Sequence, residues 1–164
     1  MEIQPVSQRM YALMILFDMH STYFINAIVG ISDEDAAKRL DTKANHIQWI
    51  AGSLVQERFE LANLLGHDLK AEAHQLFANH QGIKDDAKYP TLASYRADWN
   101  RITPILRESL IVVNDAKLNE VIDFPEMSFP LYDMCSFNTY REASCIGQIA
   151  LWRRLLGYGA MQYM

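Results

Sequence analysis

Apolar side chains recur at alternating spacings of three and four residues in four stretches of the chain, the period of a helix that buries one face. The first stripe carries Val6, Met10, Leu13, Phe17, Phe24 and Ala27, with His20 in its gap. The second runs through Ile47, Ile50, Leu54, Leu61 and Leu64, and the third through Leu92, Tyr95, Trp99, Ile102, Leu106 and Val113. A fourth spans Phe137 to Leu156, where Ile146, Ile149, Trp152 and Leu156 supply the apolar surface and the other inward positions are more polar. The pattern predicts an all-α fold, a four-helix bundle with long connections between its helices.

Stop signals agree with these stripes. Glycine after the last helical residue takes the left-handed conformation without a Cβ penalty, and Gly30, Gly66 and Gly157 each sit where a stripe ends. Asn114 is read as the equivalent cap of the third helix, with Ser32 and Thr91 as helix starters. Pro104 conflicts with its stripe, because inside a helix proline removes a hydrogen bond and clashes with the carbonyl of Asn100, at about 3 kcal/mol. A kink is expected there. The connections 66–90 and 114–134 are long for structureless loops, so a short extra helix is predicted over 70–78. Phe124, Pro125, Phe129 and Pro130 are expected to carry the chain over a bundle end or the mouth of a pocket.

The chain has 164 residues, half of them apolar, and no repeat or Gly/Ser linker, which predicts one domain over 1–164. A formal charge of −5 offers no footprint for phosphate backbones or anionic lipid surfaces, so nucleic acid is not an expected partner. The longest apolar run, Met10 to Phe17, falls far short of the roughly 20 residues that span a bilayer. Asp18 and His20 end that run and no small-residue cleavage site follows, so the N-terminus reads as mature helix. Cys135 and Cys145 form neither a C-x-x-C pair nor a disulfide framework, which points to a reducing, cytoplasmic compartment.

Two stretches carry a family likeness. Asn45-His46-Ile47-Gln48-Trp49-Ile50-Ala51-Gly52-Ser53 resembles the pattern N-H-x-x-W-x-x-G-H of the DinB-like superfamily, with the last letter changed. Arg141-Glu142-Ala143-Ser144-Cys145-Ile146-Gly147-Gln148-Ile149, followed by Arg153, Arg154, Leu155, Leu156 and Gly157, resembles that family's H-E-x-x-H-x-G-Q-x run without its histidines. Tyr89-Pro90-Thr91 and Trp99 resemble the start of its third helix. The likeness implies a bundle in which three histidines hold a divalent metal such as zinc or nickel, often in a homodimer, and a thiol transferase or hydrolase activity. The counterparts of those histidines here are Ser53, Arg141 and Cys145. Arginine has a permanent positive charge and no lone pair for a metal, so a conventional site is not expected to form.

The candidate pocket is therefore read as Ser53, Arg141 and Cys145, with His46 or His20 near its rim. A guanidinium facing a bundle interior needs an acid or an anion, and Glu57 and Glu60, four and seven residues beyond Ser53, are the acids at helical spacing. The alternative is that Arg141 recognises a ligand carboxylate or phosphate. Cys145 is the candidate catalytic group: Arg141 one turn earlier favours a thiolate, burial opposes it, and no histidine sits at helical spacing to act as base. The plainer readings are a cap hydrogen bond for His46, a core or pocket-lining role for His20 and a small core side chain for Cys145. Glu142 and Gln148 are scaffold letters of the pattern, while His67, His74 and His80 match no zinc spacing and read as surface residues. The acidic run Asp33-Glu34-Asp35 reads as a solvated helix start.

Three functions follow as expectations. The first is a small-molecule, anion-binding or interaction domain with a degenerate metal site. The second is a metal- or cysteine-dependent thiol transferase or hydrolase. The third is a structural homodimeric subunit that uses the tail residues Tyr158, Met161, Tyr163 and Met164 as a contact surface.

Overall fold

The structure, a computed structural model, describes residues 4–163. It is mostly helical, with one small two-stranded sheet. Four long helices carry the four stripes: α1 (Tyr11–Ile28), α3 (Ile47–Leu64), α5 (Leu92–Val112) and α7 (Leu131–Leu155). Between them lie the one-turn helices α2 (Asp33–Ala36), α4 (His74–Phe77) and α6 (Asp115–Leu118), and the hairpin β1 (Val121–Phe124) and β2 (Met127–Pro130). Each of α1 and α3 packs against both α5 and α7.

Caps set the helix boundaries. Ser32 Oγ accepts from Asp35 N at 3.1 Å and Thr91 Oγ1 accepts from Ser94 N at 3.1 Å, starting α2 and α5. Gly30, Gly66 and Gly157 have φ of +76°, +106° and +87°, the left-handed turn that stops a helix. Asn114 corrects the expected cap. Its φ is −97° and its Oδ1 accepts from Lys117 N at 2.9 Å, so it starts α6 rather than ending α5. Helix α5 runs on through Pro104, and both Pro104 and Asn100, whose carbonyl loses its helical donor, are exposed, so water can take the bond.

Met10, Met14, Phe24, Ile47, Ile50, Leu54, Ile102 and Leu106 are almost wholly buried, each such side chain contributing about 1.5–3 kcal/mol of transfer free energy. Phe24 stacks on Trp99 with centroids 4.1 Å apart. Val6 departs from its stripe and lies exposed, because the regular helix begins only after the 3-10 turn Gln8–Met10. The fourth helix starts six residues before the predicted Phe137. The extra helix expected over 70–78 is shorter, covering His74–Phe77.

The hairpin is the element that periodicity did not predict. Val121 pairs with Pro130 and Phe124 with Met127, so Pro125 and Glu126 form a two-residue turn. Pro125 occupies the turn and Pro130 the end of an edge strand, where no ladder donor is needed. The C-terminal tail residues also make contacts within the chain, and Tyr163 stays exposed. Met161 is buried, Tyr158 Oη donates to Asp35 Oδ2, and Tyr163 packs edge-on to Tyr23, so these residues are used within the chain. Met164 lies outside the described residues. No helix among the described residues is long and apolar enough to cross a membrane.

Candidate functional site

Helices α3 and α7 each carry one acid and one arginine in succession, Glu57-Arg58 and Arg141-Glu142. Successive side chains on a helix point roughly 100° apart, so one of each couple faces the centre and the other a flank. The helices pair them crosswise: Arg58 meets Glu142 inside, and Arg141 meets Glu57 nearer the surface.

The inner pair is fully enclosed. Arg58 Nε donates to Glu142 Oε1 at 2.5 Å and Nη2 to Oε2 at 3.0 Å, a two-pronged bond. Its Nη1 donates to Ser21 Oγ at 3.0 Å and to Thr103 Oγ1 at 2.7 Å. The guanidinium lies 3.5 Å from the Trp99 ring centroid and 4.2 Å from that of Phe17, so aromatic faces replace water on both sides. All four long helices therefore contribute to one polar knot. Burial pushes the Glu142 carboxyl up, but Arg58 and His20 outweigh it and hold the group below its ordinary value. His20 Nδ1 lies 3.3 Å from Glu142 Oε2, within ion-pair range but off hydrogen-bond geometry.

The outer pair borders a small polar cavity. Arg141 Nη1 is ion-paired with Glu57, and its Nη2 donates to Ser53 Oγ at 2.7 Å. The cavity, about 70 Å³, is lined by these three residues with Trp49, Glu60 and His80 among others. Gln56 Nε2 donates to Glu60 Oε1 at 2.9 Å and engages that acid. Glu57 Oε2 and Trp49 Nε1 are buried without a hydrogen-bond partner among the described residues. Burial pushes the Glu57 carboxyl up to about 8 against the opposing pull of Arg141, and the nearby carboxylates of Glu60 and Glu142 add to the rise. Gly52, one residue before Ser53, admits no larger side chain. A Cβ there would lie 2.3 Å from a Phe77 ring carbon and 2.6 Å from Tyr95 Oη, because those rings wedge directly against the α3 backbone.

The predicted residues divide among three places. Ser53 and Arg141 meet, and Cys145 sits one turn from Arg141, buried and outside the cavity lining. Burial raises the Cys145 thiol against the pull of Arg141, which leaves it a poor nucleophile. His20 belongs to the inner knot, not to the rim of the Arg141 cavity. His46 is the α3 N-cap, its Nδ1 accepting from Trp49 N at 3.1 Å, and it lines a separate cavity with Arg39 and Asp85. Burial first, and Arg39 second, lower its imidazole. His20 lies on α1, which lends no residue to the Arg141 cavity, and His46 caps the start of α3 two turns before Ser53.

Arg58 and Glu142 are the residues whose roles went unread. The signal was available, since Arg58 follows Leu54 by four and precedes Leu61 by three, on the buried stripe. Two of the three connecting-segment histidines, His74 and His80, are also more than surface groups: His74 Nδ1 lies 3.0 Å from Gln56 Nε2, and His80 lines the polar cavity.

His80 also lines a second, larger chamber of about 740 Å³ under the hairpin. Its walls include Phe124, Met127, Phe129, Met134 and Phe137, together with Glu126 and Asp133.

Ser53, Arg141 and Cys145 together do not fit a divalent metal. Arg141 carries positive charge and no lone pair, and its partners Ser53 and Glu57 are occupied with it. Among the described residues no group of three or more His, Cys, Asp or Glu side chains is arranged to hold a metal ion. No protein-family model matches this chain, and no curated protein matches it.

Proposed function

We propose that this chain is a DinB-like four-helix bundle, cytoplasmic, in which the Arg141 guanidinium stands where the family holds its metal, and that it binds a small carboxylate or phosphate anion there. The observation that carries the reading is the donor set of the polar cavity. Arg141 supplies a guanidinium, and Ser53 Oγ accepts from it, which leaves the hydroxyl hydrogen for a ligand. Trp49 lines the same cavity with an indole N–H that has no acceptor. Unsatisfied buried donors beside a cation suit an incoming anion, which would satisfy both.

Glu57 sets the condition for binding. Burial raises its carboxyl to about 8, so Glu57 readily takes up a proton near neutral pH and loosens its ion pair with Arg141; a neutral carboxyl neither cancels Arg141 nor repels an anion. As pH rises through about 8 Glu57 ionises and competes for Arg141, so anion affinity falls. Cys145 is a weaker candidate for chemistry because it is buried and its thiol raised.

Calorimetric titration with acetate and with inorganic phosphate, below and above about pH 8, tests this reading. Saturable acetate binding that weakens at least tenfold at the higher pH and disappears in Arg141→Met is expected. Absence of saturable binding of either anion at neutral pH removes the proposal.

A further inference from the structure

The polar cavity is too small for more than the head of a ligand, and what adjoins it defines the rest. It shares His80 with the hairpin chamber, whose volume of about 740 Å³ lies in the range of sites that enclose small organic molecules. His80 stands in the turn after α4, where Asn79 and His80 both have positive φ, and it is exposed at the boundary of both spaces. Helix α7 makes the same connection independently. Phe137 walls the chamber and Arg141 the polar cavity, and residues four apart lie on one helical face about 6 Å apart along the axis.

The two spaces differ in chemistry. Phe137 and Met127, with 52% and 55% of their surface exposed, are apolar walls left open to solvent. Glu126 and Asp133 line the chamber and no lysine or arginine does, so an anionic head is repelled from it. The cationic group lies in the adjoining cavity, at Arg141. The charges therefore orient an amphipathic anion one way only.

Resting on the anion-binding reading above, we infer that the ligand is a hydrophobic carboxylate whose alkyl or aryl body lies in the hairpin chamber and whose head is turned to Arg141 and Ser53. His80 marks the junction between body and head. Acetate fills the head position alone, and each methylene then buried in the chamber adds about fourfold in affinity.

Calorimetric titration of the full chain at neutral pH with acetate, octanoate and octylamine tests this, using the unmodified protein, Phe137→Ser and Arg141→Met. Octanoate is expected to bind at least about 100-fold tighter than acetate. Phe137→Ser should lower octanoate affinity about tenfold and leave acetate unchanged, while Arg141→Met should weaken both. Phe137 is half-exposed, so its replacement leaves the core intact. Should Arg141→Met fail to fold, Arg141→Lys, which keeps the charge and loses the forked geometry, is expected to weaken octanoate about tenfold.

Octanoate binding no tighter than acetate, with acetate still lost in Arg141→Met, overturns the inference and leaves the anion site standing. Octylamine equalling octanoate overturns the assigned orientation. No binding by either carboxylate overturns the inference, and the anion site falls with it only if inorganic phosphate also fails to bind. Sedimentation adds one more arm: a dimer that Phe137→Ser converts to monomer, with octanoate affinity unchanged, makes the chamber an interface between two copies and sinks the ligand.

Discussion

The two arginine–glutamate pairs that cross between α3 and α7 use the same side-chain types on adjacent residues, yet their environments give them opposite properties. Arg58 and Glu142 are sealed between Trp99 and Phe17 and joined by two parallel hydrogen bonds, with Ser21 and Thr103 taking further donors. Glu142 is held below its ordinary value and stays ionised. Arg141 and Glu57 border a cavity, Glu57 keeps one oxygen without a partner, and its carboxyl is raised to about 8. An ion pair in which each nitrogen and oxygen has a partner specifies how four helices meet. One with an unmatched atom and a cavity beside it has capacity left for a ligand.

The largest expected effect breaks the inner pair. Arg58→Met leaves Glu142 buried without its guanidinium, and loss of about 3–5 kcal/mol in unfolding free energy is expected from denaturant titration. Replacing both partners, Arg58→Met with Glu142→Leu, should recover most of that loss, because no uncompensated charge remains. A single variant as stable as the parent would show that the knot does not organise the interior.

Acid response separates the two pairs next. Glu57 has a folded value raised from 4.5 to about 8, so the unfolded chain gives up this proton first and stability drains as pH climbs between those values. Glu57→Gln removes that loss, and above about pH 8 the variant should exceed the parent by on the order of 1–3 kcal/mol in thermal unfolding. Glu142 behaves oppositely: its lowered value contributes stability that is present above the ordinary carboxylate range and lost as pH falls through the folded value. Glu142→Gln should therefore be most damaging at neutral pH and converge on the parent in acid. Identical pH profiles for the two glutamine variants would erase the contrast.

The smallest effect belongs to Ser53→Ala, which removes one hydrogen bond from the partly exposed Arg141. About 1 kcal/mol or less of stability is expected to go, read by thermal unfolding, together with a loss of acetate affinity. A large loss of stability with unchanged acetate binding would make the outer pair structural like the inner one.

Much of the helical frame was legible in the residues. Ile47, Ile50 and Leu54, or Tyr95, Trp99 and Ile102, are spaced for a buried face, and Gly30, Gly66 and Gly157 mark stops through a backbone requirement that no neighbour alters. The hairpin was masked because Pro125 and Pro130 argue against a strand unless they fall at a turn and an edge, and only the paired register shows that they do. Of the candidate site, Ser53, Arg141 and Glu57 came together as helical spacing suggested. His46 and His20 did not join them, and nothing in the connecting segment announced that His80 would stand between two cavities.

What the sequence determined by itself is local: which segments are helical, where each begins and ends, and which face of each is apolar, since periodicity and caps depend on residues within a turn or two of one another. The tertiary structure decided the rest. Opposite charge already matches Glu57 with Arg141 and Arg58 with Glu142, but the packing of α1 on α7 and of α5 on α3 decides which of the two pairs is buried. That arrangement seals Arg58 behind Trp99 and Phe17 and leaves Arg141 beside open space. Burial, and with it the charge state of each glutamate, is a property of the assembled helices that no single stripe contains.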